Sequence, residues 1–325
     1  MTTLQAAGAA GEGVVHPRPP TPLPPEKPRN RSDLGLRLLT AAVLVPGVIY
    51  VIFAGGWLYL AVVIGISLLG QREFYGLIEE KGAQPLWGLG LTAGAAIQIV
   101  AWFGNEYHAT ILLTAFLLTV MLAQVAKAQI AEALASISGT FFGVFYVSWL
   151  LSHAIVLRRF HSVVTSRWGA DAAAGVPPEA GVFYMLFTLS VVVACDAGAY
   201  FAGRAYGRRK LAPQISPGKT VEGALGGVAV GIGAGLVAKA VFDLWWPDLS
   251  ASLSWLATCL FGLVLSIVGI IGDLVESLLK RDAKAKDTGS LLPGMGGILD
   301  RIDSNLLAIP VMYYLLLAYT YVRIA

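Results

Sequence analysis

Residues 261–303 read FGLVLSIVGIIGDLVESLLKRDAKAKDTGSLLPGMGGILDRID, an uncharged apolar run that passes directly into a stretch crowded with ammonium, guanidinium and carboxylate groups. The apolar part belongs to a window, 252–272, long enough to cross a hydrocarbon core, which takes about 20 residues. A chain that keeps so much charge beside a span is built for polar chemistry at a membrane surface. Working outward, comparable windows occur at 37–54, 56–78, 86–104, 109–127, 133–157, 181–202, 219–243 and 303–323. The 325 residues are 56% hydrophobic and only 13% charged, which excludes an ordinary soluble domain. The expectation is an all-α polytopic integral membrane protein of about nine transmembrane helices, with a polar active site on the cytosolic side.

Residues 1–33 are rich in Pro, Gly and Ala, include PRPPTPLPPEKPRNR, and lack the apolar core of a secretory signal. They read as a disordered cytosolic tail, followed by N-terminal transmembrane helices over 34–180 and a catalytic transmembrane region over 181–325. With Lys27, Arg29, Arg31 and Arg37 inside, nine crossings place the basic connections 203–218 and 273–302 on the same side. This predicts a bacterial-type cytoplasmic (inner) membrane protein with a cytosolic N-terminus. Arg158, Arg159 and Arg167 run against that assignment, since it leaves them external. The net charge of +3 is small, and no nucleic-acid partner is expected. Cys195 and Cys259 sit in apolar runs without metal-ligand spacing, and the four histidines are scattered. Gly223, Gly227, Gly231 and Gly235 line one helix face, a pattern that serves tight packing within a subunit or a homodimer interface.

Three groups of residues carry chemistry. Asp196, Tyr200 and Arg204 follow at four-residue steps, so one helix face runs from an intramembrane acid to a basic loop. A carboxylate at that depth costs about 2.5 to 3.5 kcal/mol on insertion scales and needs a cation or a metal beside it. The segment PQISPGKTVEGALGG places Ser216, Lys219 and Thr220 at the opening of the next helix, where amides attract phosphate. Pro217 and Gly218 are expected to shape the turn there, and Glu222 to close a capping box. The GxxxxGK[ST] spacing of a P-loop is absent. Finally, Asp273, Glu276, Ser277, Lys280 and Lys284 fall at helical spacings, while Asp287, Asp300 and Asp303 add hard oxygen donors suited to Mg²⁺.

Ser277-x-x-Lys280-Arg281, Lys286-Asp287-x-Gly289 and Leu292-Pro293-x-x-Gly296-Gly297-Ile298-x-Asp300-Arg301-Ile302-Asp303 together resemble the signature of the phosphatidate cytidylyltransferases, or CDP-diacylglycerol synthases. A second matching segment runs from Asp196 through Tyr200, Gly203-Arg204 and Gly207 to Ile215-Ser216-Pro217-x-Lys219-Thr220-x-Glu222-Gly223. Both lie in the C-terminal half and cover about a third of the chain. Met295 stands where that family usually has His. The resemblance implies transfer of the cytidylyl group of CTP to phosphatidic acid, giving CDP-diacylglycerol and pyrophosphate. It implies Mg²⁺ on Asp273 and Asp300, with room for a second cation such as K⁺. Lys280, Arg281, Asp287 and Asp303 would be catalytic; Asp196, Arg204, Ser216, Lys219, Ser277, Lys286 and Arg301 would bind substrate. Two alternatives are a CTP-dependent kinase of polyprenol or phytol and a cation- or proton-coupled transporter. The near-complete 277–303 pattern speaks against the first, and the concentration of charge in two loops against the second.

Overall fold

The computed structural model describes residues 31–127, 130–291 and 296–324. The Pro-rich tail up to residue 30, and Leu292, Pro293, Gly294 and Met295 with it, lie outside the described residues, so the expectations for the tail and for Met295 do too. The helices are α1 (Arg31–Ala54), α2 (Gly56–Glu80), α3 (Trp87–Phe103), α4 (Glu106–Lys127) and α5 (Ala133–Gly143). A π-helical turn (Val144–Trp149) joins α5 to α6 (Leu150–Arg158), followed by α7 (Phe160–Trp168) and α8 (Ala170–Ala173). Then come α9 (Ala180–Tyr206), a hairpin of β1 (Lys210–Ala212) and β2 (Ser216–Thr220), α10 (Val221–Trp245), α11 (Pro247–Ser250), α12 (Trp255–Asp282) and α13 (Leu299–Ile324).

Each of the nine apolar windows falls on a helix. Seven helical segments are long and apolar enough to cross a membrane, and two shorter apolar ones occupy Thr40–Ala54 and Trp87–Phe103. The protein is an all-α polytopic membrane protein whose apolar residues face outward as well as inward, as expected where lipid is the solvent. α12 continues as helix well past Asp273, because Ser254 caps its start and no breaker intervenes before Asp282. The stretch between α6 and α9 is not a plain loop but carries α7 and α8.

The glycine face of α10 packs against α9 and α12 within the chain. A Cβ at Gly223 would lie 2.8 Å from the Ala199 carbonyl oxygen, and one at Gly227 2.7 Å from that of Cys195. At Gly231 it would meet Ser266 Oγ at 2.3 Å, and at Gly235 the Phe187 ring at 2.8 Å. Backbones at that separation leave no room for any side chain. The stripe is therefore occupied by this chain's own helices.

The turn in the 203–218 connection differs from expectation. Pro217 and Gly218 lie within β2, and the chain reverses at Pro213-Gln214-Ile215, closed by Ile215 N–H donating to the Ala212 carbonyl at 3.2 Å. Lys210 pairs with Thr220 and Ala212 with Ser216, so β2 carries extra residues in a bulge between the two pairs. A bulge accommodates Pro217, which has no N–H to give to a ladder. Its carbonyl instead accepts from Lys210 Nζ at 2.8 Å. Thr220 caps α10, accepting from Gly223 N–H. Glu222 does not complete the capping box; its carboxylate accepts the Arg208 and Arg209 amides and ties the hairpin's entry to the helix start.

Candidate active site

α12 and α13 approach closely where α12 has Gly272. A Cβ there would lie 3.0 Å from both the Asp303 carbonyl oxygen and Ser304 Cα. Acids lie at this contact and within one helical turn beyond it. Asp273 and Glu276 from α12 and Asp303 from α13 each bring a carboxylate oxygen within 4.8 Å of the others. Glu276 is fully buried; its Oε1 accepts no hydrogen bond, and its Oε2 is paired with the Lys280 ammonium. Asp196 of α9 joins from the other side through Ser304, whose hydroxyl donates to Asp196 Oδ2 at 3.4 Å.

Two lysines face this group. Lys219, carried by the bulged strand, places Nζ 2.6 Å from Asp273 Oδ2. Lys280, two turns beyond Asp273, bridges Glu276 Oε2 at 2.6 Å and Asp300 Oδ1 at 2.8 Å. Ser277 hydroxyl donates to Asp273 Oδ1 at 3.3 Å. The connected set thus holds five carboxylates, Asp196, Asp273, Glu276, Asp300 and Asp303, against two ammonium groups. Carboxylates in that excess, with Glu276 buried and Asp273, Asp300 and Asp303 half-buried, are costly unless further positive charge joins them. Hard oxygens at this separation, one of them buried without a hydrogen bond, fit a divalent cation of the Mg²⁺ type.

Beside the acids lies a cavity of about 450 Å³ beneath the hairpin, lined by Asp196, Tyr200, Arg204, Ser216, Lys219 and Asp273, among others. Five of the residues expected to bind substrate or metal are thereby brought to one wall: Asp196, Arg204, Ser216, Lys219 and Asp273. Asp300, expected on the metal, stands next to the acidic group with its own oxygens engaged. Besides Lys280 it accepts the Thr288 amide at 3.1 Å and the Gly297 amide at 2.8 Å. Arg281 spans the hairpin turn and the end of α12, donating to the carbonyls of Ile215 at 3.4 Å and Ala285 at 3.3 Å. Lys286, Asp287 and Arg301 are exposed on the loop and the first turn of α13.

Two participants escaped the motif reading. Glu276 was visible on the α12 stripe yet carried no assigned role, because spacing alone does not reveal that it is buried opposite Asp303. Glu73, in α2, belongs to the half of the chain without a motif. Its carboxylate accepts the amides of Ile298 at 3.0 Å and Leu299 at 2.8 Å. An acid near the end of an apolar span was the available signal.

The profile of the Cytidylyltransferase family matches residues 35–319. A phosphatidate cytidylyltransferase of Synechocystis sp. is 31% identical over 86% of this chain and 94% of its own length. Phosphatidate cytidylyltransferase 5, chloroplastic, of Arabidopsis thaliana is 30% identical over 92% of this chain and 74% of its own. The Bacillus subtilis phosphatidate cytidylyltransferase reaches 44% identity, over 42% of this chain and 48% of its own length.

Proposed function

The chain belongs to the cytidylyltransferase family, and we propose that it transfers the cytidylyl group of CTP to phosphatidic acid, forming CDP-diacylglycerol and pyrophosphate for phospholipid synthesis. The observation that carries the reading is the juxtaposition of the acids Asp273, Glu276 and Asp303 with Lys219 at the wall of the sub-hairpin cavity. A non-bridging oxygen of the lipid phosphate attacks the α-phosphorus of CTP. The bond from that phosphorus to the oxygen bridging to the β-phosphorus breaks, and pyrophosphate leaves with that oxygen. No protein nucleophile is needed; the demand is alignment of two anions and neutralisation of the leaving charge.

The residues divide that demand. Lys219 and Arg204, with the Ser216 hydroxyl, hold phosphate oxygens in the cavity, Lys219 exchanging its contact with Asp273 for one with the triphosphate. Asp273, Glu276 and Asp303 would hold Mg²⁺, and Asp196, linked to Asp303's neighbour Ser304, would add negative charge beside them. When bound, the cation supplies charge stabilisation to attacking and leaving oxygens. Lys280 keeps Glu276 and Asp300 in place and limits the repulsion among the acids. Asp300 acts from beside the cation, ordering the loop through Thr288 and Gly297. Lys286, Arg301 and Asp287 meet soluble CTP as it arrives. α2 must present Glu73 to the site, so its N-terminal end lies at the opposite face; α1, running the other way, returns residue 31 to the site's side. That parity supports a cytosolic N-terminus and a site facing the cytosol of a cytoplasmic membrane. A homodimer, if formed, uses a face other than the α10 glycine stripe.

Purified protein in detergent, supplied with dioleoyl phosphatidic acid, Mg²⁺ and α-labelled CTP, is the test. Label is expected in the organic phase and is expected to vanish with EDTA. Label that enters a lipid alcohol from γ-labelled CTP instead would replace this reading by a lipid kinase.

A further inference from the structure

We propose that Glu73 is a positioning residue for the acids of α13, and so joins the N-terminal half of the molecule to the chemistry of the C-terminal half. The inference rests on the assignment of Asp273, Glu276 and Asp303 to a divalent cation.

Glu73 sits where the polar loop 283–298 turns into α13. The first amides of a helix have no partner within it, and a carboxylate there gains both charged hydrogen bonds and the favourable end of the helix dipole. Among the described residues, none at the start of α13 accepts the Ile298 and Leu299 amides with its side chain; a side chain from α2 does. Glu73 Oε1 accepts Ile298 N–H at 3.0 Å, Oε2 accepts Leu299 N–H at 2.8 Å, and Thr288 hydroxyl donates to Oε2 at 3.3 Å. The loop is shaped around this carboxylate. A Cβ at Gly289 would fall 2.6 Å from Oε1, and one at Gly297 would fall 2.4 Å from Oε2. The absence of side chains at these two positions makes room for Glu73.

From this bolt the contacts run inward. Thr288 N–H and Gly297 N–H, on either side of the carboxylate, both donate to Asp300. Asp300 holds Lys280, and Lys280 holds Glu276. Asp303 lies one helical turn after Asp300 on the helix whose start Glu73 anchors. Loss of the Glu73 charge leaves the Ile298 and Leu299 amides without an anionic acceptor, frees the loop, and lets the α13 acids move relative to α12. A partner that orients metal ligands without touching the metal is worth about 10- to 100-fold in affinity or activity.

Mn²⁺ is the probe, its binding to the detergent-purified full chain followed by electron paramagnetic resonance, with no substrate present. Glu73→Gln is expected to weaken Mn²⁺ binding by roughly tenfold or more. In turnover it raises the Mg²⁺ concentration for half-maximal rate, while KM for CTP at saturating Mg²⁺ stays within about twofold. Thr288→Val removes one weaker contact, leaves both amide bonds, and is expected to shift Mn²⁺ binding in the same direction by a smaller factor. It serves if Glu73→Gln does not fold. Asp303→Asn tests the underlying assignment. If Asp303→Asn leaves Mn²⁺ binding unchanged, the cation site itself is misassigned. If Asp303→Asn abolishes binding but Glu73→Gln and Thr288→Val bind Mn²⁺ like the parent protein, Glu73 is a stability clasp and the positioning role is overturned.

Discussion

Charge lies at both ends of the helical bundle, and the two ends use it differently. At the end opposite the hairpin, the described cationic groups are tied to a local acceptor. Arg158 donates to Glu179 at 2.6 Å and to the Ile52 carbonyl at 2.8 Å, and Arg167 pairs with Glu106 at 2.6 Å. Arg159 donates to the Trp102 carbonyl and lies over that indole, while Lys239 meets Asp243 at 2.5 Å and the Ser250 carbonyl at 3.3 Å. Those groups fasten helix ends. At the hairpin end the acids outnumber the lysines that touch them, and Glu276 has a buried oxygen, Oε1, that accepts no hydrogen bond. Charge matched in place holds structure, whereas charge left in excess is the feature that a cation and anionic substrates can complete. The three arginines that run against the expected orientation are each neutralised or capped where they stand.

The contrast breaks most sharply at its centre. Glu276→Gln keeps the shape of the side chain and removes its charge, and should lower cytidylyl transfer by more than about 100-fold, beyond the range of an outer-shell change. Label transfer from α-labelled CTP measures it, and near-parental turnover would remove Glu276 from the site. Lys219→Met comes next. A charge-assisted hydrogen bond is worth about 1.5 to 3 kcal/mol, so KM for CTP should rise roughly 10- to 100-fold in initial-rate measurements. An unchanged KM with reduced turnover would instead place Lys219 on the acids alone.

At the other end the expected currency is stability. Arg158→Met should cost about 1 to 2 kcal/mol, chiefly through the lost bond to the Ile52 carbonyl, and lower the thermal midpoint in detergent while leaving KM for CTP unaltered. The pair with Glu179 adds little because that acid is 60% exposed. Arg167→Ala has the smallest expected effect, under about 1 kcal/mol, since both partners of its ion pair are exposed. A large catalytic defect from either arginine would blur the distinction between the two ends.

Much of this arrangement was legible as sequence, but only along single helices. The apolar windows marked each span, and the spacing of Asp273, Glu276 and Lys280 on one face of α12 was readable because helical periodicity is local. Pairings between helices were not. That Asp303 lies across from Glu276, that Asp300 meets Lys280, and that Lys219 reaches Asp273 depend on helix packing set in part by Gly272. The hairpin turn was misplaced by a few residues because Pro-Gly is a strong turn signal, and nothing local announces a bulge that holds Pro217 in a strand. Glu73 was hidden for a further reason: its partners are backbone amides more than 200 residues away, and amides leave no mark on a sequence.

The glycine seam between α9 and α10 also bears on how the molecule is assembled. These helices are consecutive, joined by a short hairpin, and in backbone contact along their length, so their association is a short-range event in a chain that enters the membrane from its N-terminus. Asp196, Arg204, Ser216 and Lys219 all belong to this unit. Four of the five expected site residues on the cavity wall are therefore in place once α10 has been inserted, before Asp273, Glu276 and Asp303 have been delivered by α12 and α13. Biogenesis then proceeds from half of this cavity to the whole of it: Lys219 is in place before Asp273 reaches it, and Lys280 arrives on α12 together with Glu276.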